Sequence, residues 1–135
     1  MYSGLKILIA EDNPVNQKYL LILLKKLGHY ADTTTTGIEA IHALKNRRYD
    51  LIFMDIQMPK MDGIQATKII RKLWPQGPKI IIVTAFPLEI YRELCFKAGA
   101  DDFLTKPVKI EELKASIDHY AQKDAISELE PIALI

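Results

Sequence analysis

The chain has 135 residues, of which 49% are hydrophobic, 26% charged and 8% aromatic. That is one domain's worth of chain with enough apolar side chains for a core, so disorder and fibrous repeats are excluded. Eighteen Lys and Arg against 17 Asp and Glu leave a formal charge of +1, with no global field to attract nucleic acid or an anionic membrane.

The single cysteine, Cys95, excludes an intrachain disulfide and a cysteine-cluster metal site. No apolar run approaches the ~20 residues that cross a bilayer. Residues 1–6 lack the basic start and apolar stretch of a signal peptide. A cytoplasmic, reducing location with no membrane or nucleic-acid partner is therefore expected.

In chain order, residues 5–10 form a short apolar run ending at Glu11-Asp12. Asn13-Pro14 then reads as a helix N-cap followed by proline at the first helical position. Leu20, Leu23, Leu24 and Leu27 recur at helical spacing, and Gly28 stops that helix. Residues 30–36 are Thr-rich and predict a weaker strand nearer an edge. A helix is predicted over 37–46. The run 51–54 ends at Asp55, and a helix follows over 63–74.

Pro75, Gly77 and Pro78 make a loop before the apolar run 79–83, which ends at Thr84. Pro87 is expected to open a helix over 88–98. A brief strand at 102–105 and a helix over 110–123 complete the pattern. Runs this short, apolar on both parities, suit strands covered on both faces. Five strands alternating with five helices predict an α/β fold, a single doubly wound (βα)5 domain around a parallel sheet. The domain is expected over 1–124. Residues 125–135 read as a tail or the start of a linker, with Glu130-Pro131 breaking the helix.

Open parallel sheets bind ligands beyond the carboxyl ends of their strands. Glu11, Asp12, Asp55, Thr84 and Lys106 all fall there. Crowded carboxylates repel and call for a cation, and hard oxygen donors suit Mg2+ better than zinc or copper. Asp55 can then act as the nucleophile toward phosphorus, giving an aspartyl phosphate. Lys106 and the Thr84 hydroxyl would hold charge on the phosphoryl oxygens. Each residue also has a plainer explanation. Asp12, Asn13, Asp55 and Thr84 are helix-cap or turn types, and Lys106 could be solvated. Those explanations would all have to hold at the same rim.

His29, His42 and His119 lack metal-type spacing, and Cys95 reads as a packed mid-helix residue. No glycine-rich phosphate loop occurs.

These residues resemble the receiver domains of two-component response regulators. The stretches that carry the resemblance are residues 9–17 around Glu11-Asp12-Asn13-Pro14, residues 55–63 around Asp55-Ile56-Gln57-Met58-Pro59, Val83-Thr84-Ala85, and residues 98–107 ending in Lys106-Pro107. Together they cover about residues 5–123 in the family's order. The form of the first stretch is most like receivers of hybrid sensor histidine kinases.

The resemblance implies a flavodoxin-like sheet of strand order 2-1-3-4-5. It implies that Asp55 takes a phosphoryl group from a phosphohistidine on a sensor histidine kinase or a histidine phosphotransfer domain. Glu11, Asp12 and Asp55, with the Gln57 backbone carbonyl, would bind Mg2+. Lys106, Thr84 and Ala85 would border the phosphoryl group, Thr84 and Phe103 would form the switch, and the Lys106-Pro107 bond would be cis. Plain core packing is the alternative for Phe103. Such a domain catalyses only its own phosphorylation and dephosphorylation, and a homodimer is compatible with it.

Three rival functions fit less well. A phosphohydrolase of the haloacid-dehalogenase kind would want a second Asp where Gln57 stands. A flavin carrier would be repelled by Glu11-Asp12. A binding module without phosphorylation leaves the full rim unexplained. Residues 19–24 of the first helix are all apolar or aromatic, more than one stripe needs. They either wedge between neighbouring elements or leave a strip, centred on Leu21 and Ile22, that docks a partner helix bundle. Phe86 is expected to hinder water near the phosphoryl group.

Overall fold

The computed structural model describes residues 4–85 and 89–133, with side chains through Ala121. Ten elements alternate. They are β1 (Ile7–Ala10), α1 (Pro14–Lys26), β2 (Ala31–Thr34), α2 (Gly37–Asn46), β3 (Leu51–Met54), α3 (Gly63–Leu73), β4 (Lys79–Thr84), α4 (Glu89–Ala98), β5 (Asp102–Thr105) and α5 (Ile110–Ala133). The strands form one parallel sheet of order β2-β1-β3-β4-β5. The expected topology holds, and both weaker strands lie at edges.

Alternation along each strand builds two separate cores. Leu8, Ala10, Ile52, Met54, Ile80 and Ile82 face one side, where Ala40, Ala66, Ile70 and Cys95 of α2, α3 and α4 close over them. Ile7, Ile9, Leu51, Phe53, Ile81 and Val83 face the other, against Leu20, Leu23, Leu24, Leu113 and Ile117 of α1 and α5. Burial on both parities is why these strands read as continuous apolar runs.

Asn13 caps α1, its side chain accepting from the Val15 and Asn16 amides at 2.9 and 3.1 Å. Gly28 follows the C-cap Leu27 at φ +88°, a left-handed conformation that glycine adopts without penalty. Asp62 and Gln65 form a reciprocal capping box at the start of α3.

Several boundaries move. The first strand begins at Ile7 rather than residue 5, and β2 occupies only Ala31–Thr34. Thr84 is the last residue of β4 rather than the first beyond it. Helix α3 stops at Leu73, with Trp74 as C-cap. The expected stop at Lys123 and break at Glu130-Pro131 do not occur, since α5 runs on to Ala133. Residues 122–129 are rich in strong helix formers such as Gln122, Ala125, Glu128 and Leu129. Pro131 lacks the N–H that would reach the Ser127 carbonyl, yet the helix continues past it to Ala133. The expectations for Phe86, Pro87 and Leu88, and the last two residues of the tail, lie outside the described residues.

Candidate functional site

The register fixes the site. Ala10 lies beside Met54, and Met54 beside Ile82, so β1 and β3 end level while β4 extends two residues further. Glu11, Asp12 and Asp55 therefore leave adjacent strands at one height, and Thr84 stands at the end of the next. The Asp55 amide donates to the Ala10 carbonyl at 3.0 Å, continuing the ladder into the site.

Lys106 reaches this rim from the turn after β5. Its peptide bond to Pro107 is cis, as the resemblance implied, and its amide donates to the Thr84 carbonyl at 2.8 Å. Its ammonium donates to Glu11 Oε1 and, at 3.2 Å, to Asp55 Oδ2. Burial alone would lower the pKa of this ammonium. The Glu11 hydrogen bond and the Asp55 and Glu11 charges outweigh it, so the net shift is upward and the lysine stays charged.

Glu11 and Asp55 are buried, Asp55 with 8% of its surface exposed, while Asp12 is exposed. One ligand oxygen from each of the three carboxylates lies within 4.8 Å of the others. An all-oxygen set of this kind, open to water on the Asp12 side, fits a hard divalent cation such as Mg2+.

Asn13 caps α1 and Asp62 caps α3, so neither Asp12 nor Asp55 serves as a cap. Lys106 is held between two carboxylates rather than solvated. Thr84 is fully buried. Ala85 is exposed beside it and, with Lys106 and Asp55, borders a cavity of about 490 Å3. Gln57 is exposed and lines a second depression with Asp12, Met58 and Pro59. Phe103 is 8% exposed and packs into the core with Ile82 and Cys95.

Two neighbours of the site had no assigned role in the sequence. Gln17 Nε2 donates to the Glu11 carbonyl at 2.6 Å and to the Thr34 carbonyl at 3.3 Å, tying α1 and β2 to the acidic loop. Its position one turn past the Asn13 cap is the only local signal. Gly63 is the other. A Cβ there would stand 2.0 Å from the Asp55 carbonyl oxygen, so only glycine lets α3 start against the backbone of Asp55.

The cavity beside Ala85 runs from Glu11 and Asp55 along Val15, Tyr19 and Leu20 to Pro107 and Val108. Tyr19 donates to the Val108 carbonyl at 2.8 Å. The first helix combines both expectations for its apolar run. Leu20, Leu23 and Leu24 are buried, and Leu21 packs against the same core, so Leu21 is not part of an exposed strip. Val15 (75% exposed), Tyr19 and Ile22 (46%) form the outward stripe.

The remaining residues are structural. Cys95 is buried, and burial pushes its thiol up to about 11. Burial lowers the His29 pKa against the opposing charge of Asp118. His42 pairs with Asn46, and His119 packs edge-on to Tyr120.

Fold and rim define a class: a doubly wound sheet that gathers oxygen donors and one ammonium at its carboxyl end. Residues 7–118 match the family model of the response regulator receiver domain, and the chain belongs to that family. It is a receiver module of two-component, phosphorelay signalling rather than a conventional enzyme.

Among relatives, the probable histidine kinase 1 of Oryza sativa subsp. indica is 35% identical over 85% of this chain and 15% of its own length. Hybrid signal transduction histidine kinase F of Dictyostelium discoideum is 37% identical over 87% of this chain and 11% of its own. The chain thus spans under a sixth of these relatives. Among solved structures, a sensor histidine kinase receiver domain from Pseudomonas aeruginosa has 38% identity and a TM-score of 0.81 over 88% of this chain and 98% of its own. That structure holds a magnesium ion coordinated in its active-site cleft. A receiver domain co-crystallised with a histidine phosphotransfer signalling protein from Saccharomyces cerevisiae has 30% identity and a TM-score of 0.84, over 93% and 94%. Among the described residues, no helix is long and apolar enough to cross a membrane.

Proposed function

We propose that Asp55 is the phospho-acceptor, charged by a phosphohistidine on a sensor histidine kinase or a histidine phosphotransfer domain. The observation that carries this reading is the meeting of Lys106 with both Glu11 and Asp55, with the Asp12 carboxylate within reach. Glu11, Asp12 and Asp55 would hold Mg2+ together with the Gln57 backbone carbonyl. The ion supplies charge neutralisation among the carboxylates and on phosphoryl oxygens.

The chain's own groups do the rest. Asp55 Oδ attacks phosphorus and the new P–O bond forms. The P–N bond breaks, and its electron pair returns to the imidazole of the donor, which takes up a proton. Lys106, now paired with both carboxylates, turns its ammonium to the phosphoryl oxygens that Asp55 acquires. The Thr84 hydroxyl and the Ala85 backbone amide border the same oxygens. Thr84 moves toward the phosphoryl group and Phe103 follows, changing the surface nearby. Water later cleaves the acyl phosphate, so the domain turns over only its own modification.

Val15 and Tyr19 border the cavity that opens at Asp55, exposed Ile22 continues their stripe along α1, and this stripe is the docking face for the donor helices. Residues 1–124 form the receiver unit, with 125–135 as tail or linker start. Its donors are fed by ATP, which suits a cytoplasmic location, and its charge of +1 suits a protein partner rather than nucleic acid.

The deciding experiment is incubation with Mg2+ and acetyl phosphate followed by intact mass. Wild type gains one phosphoryl mass only when Mg2+ is present, and Asp55→Asn gains none. An unchanged gain in Asp55→Asn, or none in wild type, ends the reading.

A further inference from the structure

The three carboxylates of the rim are held in different ways. Glu11 and Asp55 are gripped at their side chains by Lys106. The Asp12 carboxylate is exposed and, among the described residues, has no hydrogen-bond or ion-pair partner. Its place is therefore set by its backbone. The unit that matters is the peptide joining Glu11 to Asp12, because a peptide plane turns as one body. Glu11 is fixed on both sides from outside the loop. Its amide donates to the Thr34 carbonyl at 3.0 Å. Its carbonyl, the oxygen of the peptide to Asp12, accepts from Gln17 Nε2 at 2.6 Å. The same Nε2 also donates to the Thr34 carbonyl at 3.3 Å. Two carbonyl acceptors admit only the NH2 end of the amide, so chemistry settles the side chain's orientation. Gln17 is itself anchored on α1, whose Leu20, Leu23 and Leu24 are buried against the sheet.

We propose that Gln17 is a positioning residue for magnesium, holding the Glu11–Asp12 peptide so that the Asp12 carboxylate stands beside the other two. The proposal rests on the reading of these carboxylates as a receiver's metal site. Anionic oxygens gathered within 4.8 Å repel one another when no cation lies between them. A loop free to turn would relieve that repulsion by swinging Asp12 outward. An arriving ion would then have to reassemble the site, and the cost of reassembly is subtracted from its affinity. The Gln17 amide keeps the site assembled beforehand. It touches neither the metal ligands' carboxylate oxygens nor the phosphoryl position, so it acts on affinity and not on the chemical step. A hydrogen-bond partner standing behind a metal ligand is worth about 10- to 100-fold in affinity.

The test is a titration with Mg2+ alone, without a phosphodonor, followed by backbone amide NMR shifts. Gln17→Met keeps the length and helix propensity of the side chain and removes its donor. It is expected to bind Mg2+ about tenfold more weakly than wild type. Gln17→Glu removes the donor and adds a negative charge. Charge alone would tighten Mg2+ binding, whereas loss of the tether weakens it, and binding weaker than wild type is expected. Asn13→Ala removes the α1 cap and leaves the tether. It is expected to lower the urea midpoint, as a merely structural loss does, and to keep Mg2+ affinity within about twofold of wild type. With acetyl phosphate, acetate leaves as an Asp55 oxygen bonds to phosphorus, and the initial rate of mass gain is read. Gln17→Met is expected to lag about tenfold at subsaturating Mg2+ and to approach the wild-type rate at saturation. Mg2+ affinity in Gln17→Met or Gln17→Glu equal to or above that of wild type overturns the proposal. So does an equal loss of affinity in Asn13→Ala, or a lag in Gln17→Met that persists at saturation. Wild type without a saturable Mg2+ response ends the metal reading and this proposal with it. Wild type that binds Mg2+ but gains no phosphoryl mass ends the acceptor reading alone, and the titration still decides on Gln17.

Discussion

Both ends of the sheet place a basic side chain on an aspartate, and the two are built in opposite ways. At the amino end, Arg71 of α3 meets Asp101 at 2.6 Å and also donates to the Gly99 and Pro78 carbonyls, each at 2.8 Å. The Asp101 carboxylate accepts the Ile80 amide as well, at 2.9 Å, and its carbonyl accepts from Tyr120 at 2.8 Å. One anion is thus met by one cation and one backbone amide, and four segments are stitched together. At the carboxyl end, one ammonium is shared by two carboxylates while a third stands within 4.8 Å. Charge is balanced in the first cluster and left in excess in the second. The first resembles a rivet. The second is poised to take up a cation and an electrophile.

Breaking the carboxyl-end cluster should have the largest effect. Lys106→Met is expected to slow phosphorylation by acetyl phosphate about 10²–10³-fold, as loss of a positioned charge donor does elsewhere. Its folded state should also gain more from added Mg2+ than wild type does, because Glu11 and Asp55 lose their shared counter-charge. Thermal melts with and without Mg2+ check this.

Breaking the amino-end cluster should move stability instead. Arg71→Ala leaves Asp101 half-paired and two carbonyls without their donor, a cost of about 2–3 kcal/mol in urea unfolding. The phosphorylation rate of the folded fraction should change less than about twofold, since the sites lie at opposite ends of the sheet.

A third change sharpens the contrast between rim chemistry and partner docking. Ile22→Asp should lower phosphotransfer from a partner phosphohistidine about tenfold while leaving the acetyl phosphate rate unchanged. Stability should stay within about 0.5 kcal/mol of wild type, because Ile22 is half exposed.

The smallest effect is a pH slope. Cys95 has its folded pKa raised from 9.0 to about 11, chiefly by burial. A raised folded pKa favours the protonated thiol, so its contribution is intact below pH 9 and drains away as pH climbs toward 11. Stability of wild type should fall more steeply across that window than stability of Cys95→Ala. Lys106, also shifted upward, is common to both and cancels in the difference.

The sequence disclosed the carboxyl end better than the amino end. Glu11-Asp12, Asp55 and Thr84 each follow an apolar run, so their convergence is a consequence of parallel strands and needs no long-range guess. Lys106 is legible by the same rule, and the Asn13 cap by its own proline. By contrast, Arg71 and Asp101 are 30 residues apart and neither carries a local signal of the other. Tyr19 and Val108 meet across 89 residues. The division of residues 19–24 into buried and outward positions needed the angular setting of α1 against β1 and α5. The run-on of α5 was hidden because Pro131 reads locally as a stop.

The glycine at the start of α3 has a thermodynamic consequence. Because no side chain fits between Gly63 and the Asp55 carbonyl, folding itself sets the Asp55 main chain against a helix end. Ordering entropy that a looser loop would surrender at each encounter is settled once, during assembly of the domain. On the proposed reading of Asp55, a donor meets a nucleophile whose backbone is already set.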